Sequence, residues 1–406
     1  MIMRFFLFFI FFLAVYLEPL SIFGVKVSLL WKAALLGAIF IYSISDLRIT
    51  KLNLISYLYS LKHIISFGAI HSFFESFMEL VKTSTIPLIL HFFSTLYNRS
   101  PKQAERVVNQ TISFVSISLL LFNIPFVFGF LPELSSGIAL TALGGDETGY
   151  SGPFQNGHAA SITMGAVGLY FLYKITVQKD KVMKYLYCIL LVFALFIIFK
   201  TLVRTGLLMI LIGLLTFLYS FYGIRWFIKF TPFLILIILV LTLVVSNNEA
   251  IMLRLFDGSV YEREHEHWFY NVGSGRLWMG WTNLVYWFDS GLFGWVFGTG
   301  IGPSKDNMEA VVGIRVFSHN GFVDALTHNG LIGLYLYIMI LSLSYKLIRN
   351  CKGHNKNMFA LAVSMFVSYL LFVLFQGGSR FFLDVLFVLS ILQLKYCGIS
   401  NTGKFQ

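Results

Sequence analysis

Residues 183–199 read MKYLYCILLVFALFIIF, and residues 202–220, just past Lys200 and Thr201, read LVRTGLLMILIGLLTFLYS. Apart from Lys184 and Arg204 near the heads of the two runs, neither offers a solvated face, and a helix that is apolar all round belongs in lipid or deep inside a bundle. About 20 such residues cross a hydrocarbon layer of roughly 30 Å. A helix also satisfies its backbone hydrogen bonds internally, as an apolar solvent requires. The whole chain has the same character: of 406 residues 57% are hydrophobic and only 12% charged, with mean hydropathy +0.79, too few charges to cover a soluble protein of this length.

The composition therefore predicts an all-α polytopic membrane protein with about twelve spans, near residues 4–23, 29–45, 53–71, 78–97, 107–131, 157–174, 183–199, 202–220, 227–246, 329–349, 357–376 and 379–397. Residues 53–97 carry Lys62, His63, His71, Glu75, Glu79 and Lys82, so one piece there can instead lie in the interface as an amphipathic helix. Three segments follow: a bundle over 1–246, a large loop over 247–328, and a second bundle over 329–406. The loop's polar part, 247–318, holds two candidate amphipathic helices, about 249–269 and 276–290, and a glycine-rich link from Gly291 to Gly302. The apolar run Phe5 to Leu17 resembles a signal peptide, but Glu18 and Pro19 follow without a small-residue cleavage site, so an uncleaved first span is expected. Cys188, Cys351 and Cys397 fall in spans or on the inner side and imply no disulfide framework.

Basic residues give an orientation. With the N-terminus inside, 17 of the 30 lysines and arginines lie in or beside the inner connections, for example Lys174, Lys179, Lys181 and Lys184, or Lys346, Arg349, Lys352 and Lys356. The outer loop 132–156 has Glu133, Asp146 and Glu147 and no basic residue. The net charge of +11 is thus a topological signal and not a nucleic-acid footprint. Both termini are placed in the cytoplasm.

Basic residues on the outer side need a reason. Arg204 opens a span, Arg276 follows Gly273-Ser274-Gly275, and Arg380 follows Gly377-Gly378-Ser379. Each stands at a predicted helix N-terminus, where backbone N–H groups and a guanidinium can both point at an anion such as pyrophosphate. The plainer alternative is that they snorkel to headgroups or pair with Glu262, Glu264 or Asp289. Beside them comes Ser318-His319-Asn320, followed nine residues later by Gly330-Leu331-Ile332-Gly333. A polar pair at the edge of a span is costly, and a histidine there can take a proton from an attacking hydroxyl; equally, Asn320 can serve only as an N-cap. Gln155, Asn156 and His158 enter the sixth span on the same side and are candidates to touch a sugar, as is Trp278, with Trp281 and Trp287 as further groove residues. The charged run Glu262 to His267 lacks the ligand spacing of a metal site and is expected to be a solvated helix face.

The His319-Asn320 pair, its spacing to Gly330-x-x-Gly333, the span-opening Arg204, the Ser274-Gly275-Arg276 segment and the Gly298–Gly300–Gly302 link together resemble the bacterial O-antigen polymerase and O-antigen ligase superfamily. The likeness implies a GT-C-like helical fold in the inner membrane and a metal-independent inverting glycosyltransferase with no cofactor. Its donor would be a glycan on undecaprenyl pyrophosphate, its acceptor a second lipid-linked repeat unit or lipid A-core, and its partners membrane lipids and a chain-length regulator protein. It casts Arg204 and Arg276 as the pyrophosphate clamp, with Arg380 added on position, and His319 as the group that orients or deprotonates the acceptor hydroxyl. The phenylalanine-rich chain and Leu29-Leu30-Trp31-Lys32 resemble the polymerases more than the ligases. A flippase or other polysaccharide transporter, the alternative from another class, would be expected to show charged residues in paired spans and half-to-half symmetry.

Overall fold

A computed structural model of the chain describes residues 21–22, 25–46, 48–66, 72–133, 149–154, 156–225, 228–229, 275–313, 315–353, 355–377 and 380–397. Apart from a short antiparallel pairing of β1 (Ser21–Ile22) with β2 (Val25–Lys26), the ordered elements among them are helices. Among the described residues, six stretches are long and apolar enough to cross a membrane, which makes this a helical membrane protein. They are α5 (Pro101–Leu121) extended by α6 (Ile124–Val127), α7 (Gly157–Val177), α8 (Lys181–Thr201), α9 (Arg204–Tyr222), α13 (Gly321–Asn350) and α14 (Lys356–Phe375). The predicted spans 4–23 (but for residues 21–22) and 227–246 (but for 228–229), and the helix expected at 249–269, lie outside the described residues.

Near the start of the described chain, α1 (Val27–Ser43) is a shorter apolar helix. The spans expected at 53–71 and 78–97 resolve differently, into α2 (Lys51–Ile65), α3 (Phe73–Thr83) and α4 (Thr85–Arg99). Thr50 caps α2 by accepting from the Asn53 N–H. Pro87 has no N–H to give the Thr83 carbonyl and its ring crowds that carbonyl, so α3 and α4 cannot run on as one helix. Helix α3 is turned inside out, with Phe73, Phe74 and Phe77 exposed and Ser76 and Glu79 buried, the pattern of a helix whose outer face meets lipid.

At the centre stands α15 (Phe381–Cys397), buried on all sides from Leu383 to Leu394 and packed on α4, α5, α7 and α14. Its uniform apolarity suits a helix surrounded by helices. The equally apolar α8 is the opposite case: Val182, Ile189 and Val192 are exposed, so its outer face is a lipid surface. The reading of residues 183–199 as membrane-embedded is met here.

The described part of the polar loop, from residue 275 onward, is helical and packs on the bundle. After α10 (Arg276–Asp289), the stretch expected to be a glycine-rich link instead forms α11 (Gly291–Phe297) and α12 (Ile301–Val312), leaving only residues 298–300 between them. These helices dock on the bundle. The Lys62 ammonium donates to the Phe297 carbonyl at 2.8 Å, the Gly302 N–H donates to Ser72 Oγ at 3.1 Å, and Arg315 pairs with both Glu75 of α3 and Asp306 of α12. Helix α13 begins at Gly321, before the predicted start at 329, and is broken at Gly330 (φ 69°, ψ −169°). The break deprives the Thr327 and His328 carbonyls of the N–H groups one turn on, and orphaned carbonyls must find other donors. The Thr299 and Gly300 N–H groups supply them at 2.8 and 3.2 Å. The two glycine motifs of the sequence thus meet, backbone to backbone.

Candidate active site

Six polar side chains stand where helices begin at one end of the bundle. His158 is the second residue of α7, Arg204 the first of α9 and Arg276 the first of α10; His319 and Asn320 immediately precede α13, and Arg380 precedes α15. The turn into α9 is tight. Leu202 closes α8 in the left-handed region at φ 52°, a conformation that costs a non-glycine residue roughly 1–2 kcal/mol. The Val203 N–H rests on Thr201 Oγ1, and the Tyr150 N–H donates to the Lys200 carbonyl, bracing the turn from the loop before α7.

Gln376, at the end of α14, ties the cluster together. Its amide Nε2 donates to Thr205 Oγ1 at 2.8 Å and lies 3.0 Å from His158 Nδ1, joining α9 and α7. Its main-chain carbonyl takes a hydrogen bond from the His319 ring. In a neutral imidazole the other ring nitrogen is then an acceptor.

His319 is itself in the left-handed region, at φ 58°. Asp324, one turn into α13, holds it there: Oδ1 accepts from the Ser318 N–H at 3.0 Å and from the Ser318 hydroxyl at 2.7 Å. Asn320 Oδ1 accepts from the Phe322 and Val323 N–H groups, fixing the start of the helix. Non-glycine residues in this backbone region persist only when their surroundings over-determine them, and such residues cluster at functional sites.

Loss of water around the ring, then the charges of Arg276 and Arg380, lower the His319 pKa to about 4; the Gln376 carbonyl acts in the other direction. The ring is therefore neutral near pH 7. Burial, and then Arg204, push the Arg276 pKa down. Arg204 is exposed and Arg276 and Arg380 are partly so, leaving their guanidinium groups within reach of a ligand. Two guanidinium groups beside a neutral imidazole, with a third beside the first of them, can receive a multiply charged oxyanion, with a proton acceptor at its edge.

The chain matches no protein-family model and no curated protein.

Arg204, Arg276, Arg380, His319 and His158, separate in sequence, come together. Asn320 and Asn156 each cap a helix through Oδ1, Asn156 accepting from the Ala159 N–H. Gln155 lies outside the described residues, as does the Glu262–His267 run. Trp278 is partly buried near the start of α10, and Trp287 packs on Trp295. Sequence reasoning passed over Gln376 and Asp324. The signal was there: a carboxamide at the end of an apolar run beside Gly377, and an acidic residue entering one.

Proposed function

We propose that the protein is a surface-polysaccharide polymerase that joins repeat units carried on undecaprenyl pyrophosphate. In this reading the bundle has about twelve spans in a GT-C-like arrangement, and the site lies on the periplasmic side of the inner membrane. The observation that carries it is that Arg276 and Arg380 stand close enough to His319 to bear on its charge, with Arg204 bearing on Arg276 in turn, at helix starts that share one end of the bundle. The sidedness is supported by the lysines and arginines of the α7–α8 and α13–α14 turns, which fall at the other end of these helices.

The residues divide the work simply. The acceptor hydroxyl oxygen attacks the anomeric carbon of the donor glycan. Its proton passes to the free nitrogen of His319, whose other N–H stays on the Gln376 carbonyl. The bond from the anomeric carbon to the pyrophosphate oxygen breaks, and undecaprenyl pyrophosphate leaves with the electron pair. Charge grows on that oxygen as the bond breaks, and the three arginines stabilise it in place. Attack from the opposite face inverts the anomeric centre. The protonated His319 then returns its proton to solvent.

Purified protein in lipid nanodiscs, given lipid-linked repeat units, should produce a ladder of longer lipid-linked glycans. Products joined instead to lipid A-core would make it a ligase, and no new glycosidic bond with either acceptor would overturn the reading.

The low pKa of His319 gives the pH dependence a sign. A general base works when unprotonated, so kcat/KM, which reports the free enzyme, should hold level below neutrality and fall near pH 4, not near 6.5. A bound pyrophosphate beside the ring favours its protonated form, so the acid limb of kcat should lie at higher pH than that of kcat/KM. Coincident limbs at 6.5 would contradict the assigned surroundings of the ring.

Asp324 acts through Ser318 and is a positioning residue. Asp324→Ala should lower kcat by about 10²-fold with little change in KM, the usual consequence of a misplaced catalytic group. Asp324→Asn keeps a carbonyl acceptor for Ser318 and should recover much of the loss. Equal loss in both variants would point to the carboxylate charge and away from positioning.

A further inference from the structure

Helix α10 is built the wrong way round for a soluble loop. Its inward residues include Gly280, Thr282 and Asn283, buried against α12 and α13, whereas its outward residues are large and apolar. Leu277, Trp281, Val285 and Phe288 of α10, with Leu292 and Phe293 of α11, are between 41% and 69% exposed. The α10 residues repeat every three or four positions, so they form one stripe along the helix. The two helices make a braced hairpin: the Trp295 indole N–H donates to the Phe288 carbonyl at 2.7 Å, and the Trp295 ring packs on Trp287 and Phe288. A contiguous apolar surface of this kind on a rigid element marks a surface that something apolar covers.

The neighbours identify the cover. Helix α11 lies between two helices that expose apolar side chains of their own. On one side Lys62 of α2 binds the Phe297 carbonyl, and Leu58, Leu61 and Ile65 of α2 face outward. On the other side the backbone at Val296–Gly298 abuts Gly330 of α13, directly before the exposed Leu331, Ile332 and Tyr335. Since α13 is long and apolar enough to span, its exposed apolar side chains are a lipid-facing surface, and the hairpin's stripe continues that surface.

We propose that the α10–α11 hairpin is embedded in the bilayer, with its apolar stripe among the lipid acyl chains at the headgroup boundary. Trp281 and Trp295 then sit where amphipathic indoles collect. Arg276, the first residue of the same hairpin, is held at headgroup height. This is the level at which the phosphates of any lipid lie, so a lipid-borne substrate reaches the arginines sideways from the membrane without leaving it.

The hairpin's depth can be measured without any assay of activity. In a background with Cys188, Cys351 and Cys397 replaced by serine, Trp281→Cys, Phe288→Cys and Phe293→Cys would each be labelled with bimane in nanodiscs. Quenching by lipids carrying a nitroxide on the upper acyl chain should exceed quenching by aqueous iodide several-fold at all three. Glu309→Cys, on the charged and exposed α12, should show the reverse order. Iodide-dominated quenching at the hairpin positions would overturn the proposal. So would protection from both quenchers, because the stripe would then be covered by protein, for example a second copy of the chain. Should the serine background fold poorly, the native chain in brominated-lipid nanodiscs gives the same answer: part of its tryptophan emission should be quenched, and Trp281→Phe should remove a share of that quenched part. No change on removing Trp281 would also overturn it. The proposal survives if the transferase reading fails, because lipid depth is read independently of product.

Discussion

Replacing Arg276 by alanine is expected to lower the rate of glycan transfer by about 10²–10³-fold, the usual effect of removing one group that stabilises charge developing in a transition state. The protein should remain folded in the membrane. Arg276 is the most consequential of the three arginines because it is the link in the chain of charges: its field reaches His319, and Arg204 bears on it in turn. Its position explains how a cation is held in so little water. Gly275 at φ 78° turns the chain into α10, and as a glycine it brings no side chain of its own to cap the N–H groups there. Guanidinium and helix terminus therefore address the same space. Arg276→Lys should recover little, because an ammonium lacks the planar fork that grips a phosphate through two hydrogen bonds. Initial rates of ladder formation in nanodiscs, with the folded fraction checked by gel filtration, test this directly. A rate within a factor of about three of the parent would mean that Arg276 does not face the developing charge.

The second large effect is on folding. Gly330→Ala should destabilise the protein by about 3 kcal/mol or more and sharply reduce the yield of folded material, as backbone strain and collision together predict. At φ 69° and ψ −169° the residue lies in a region open almost only to glycine. A Cβ there would stand 2.4 Å from the Val296 carbonyl oxygen and 2.6 Å from the Gly298 nitrogen, backbone atoms that cannot swing aside. Gly298→Ala meets the same contact from the other side, its Cβ falling 2.2 Å from the His328 carbonyl oxygen. The double variant should accordingly lose less than the sum of the two single losses, since one broken contact serves both. Thermal unfolding in detergent, followed by gel filtration, would show it; an unchanged melting temperature for Gly330→Ala would mean that the α11–α13 backbone contact does not hold.

Much of this architecture is visible in the sequence, and what is hidden has identifiable causes. The span at 183–199 needed only its composition, since nothing in it is polar enough to face water but Lys184 near its edge. The arginines were visible because each stands beside Gly, Ser or Thr at the head of a predicted helix. Residues 321–329, GFVDALTHN, resembled loop because Asp324, His328 and Asn329 interrupt the apolar pattern. They are helical because the polar groups are buried among protein and not lipid, with Asp324 turned back on Ser318. The stretch Gly291–Gly302 shows the opposite case: its glycines suggest a flexible link, yet Gly291 starts α11 at φ 72°, and Gly298 and Gly300, at φ 85° and 88°, flank the point where the backbone closes on the break in α13. Gln376 stands out in the sequence as a carboxamide closing an apolar run, but its role does not, because that role lies in joining three elements, α7, α9 and the His319 turn, that are distant in sequence.

The most direct measurement is a count of bonds broken against bonds made. Purified protein in nanodiscs is incubated with a lipid-linked repeat unit, and mass spectrometry follows both free undecaprenyl pyrophosphate and the lengthened lipid-linked glycan. The account predicts one undecaprenyl pyrophosphate released for each new glycosidic bond, and neither product from His319→Ala or Arg276→Ala at comparable times. Donor that stays intact, whether idle or merely moved across the bilayer, would contradict it.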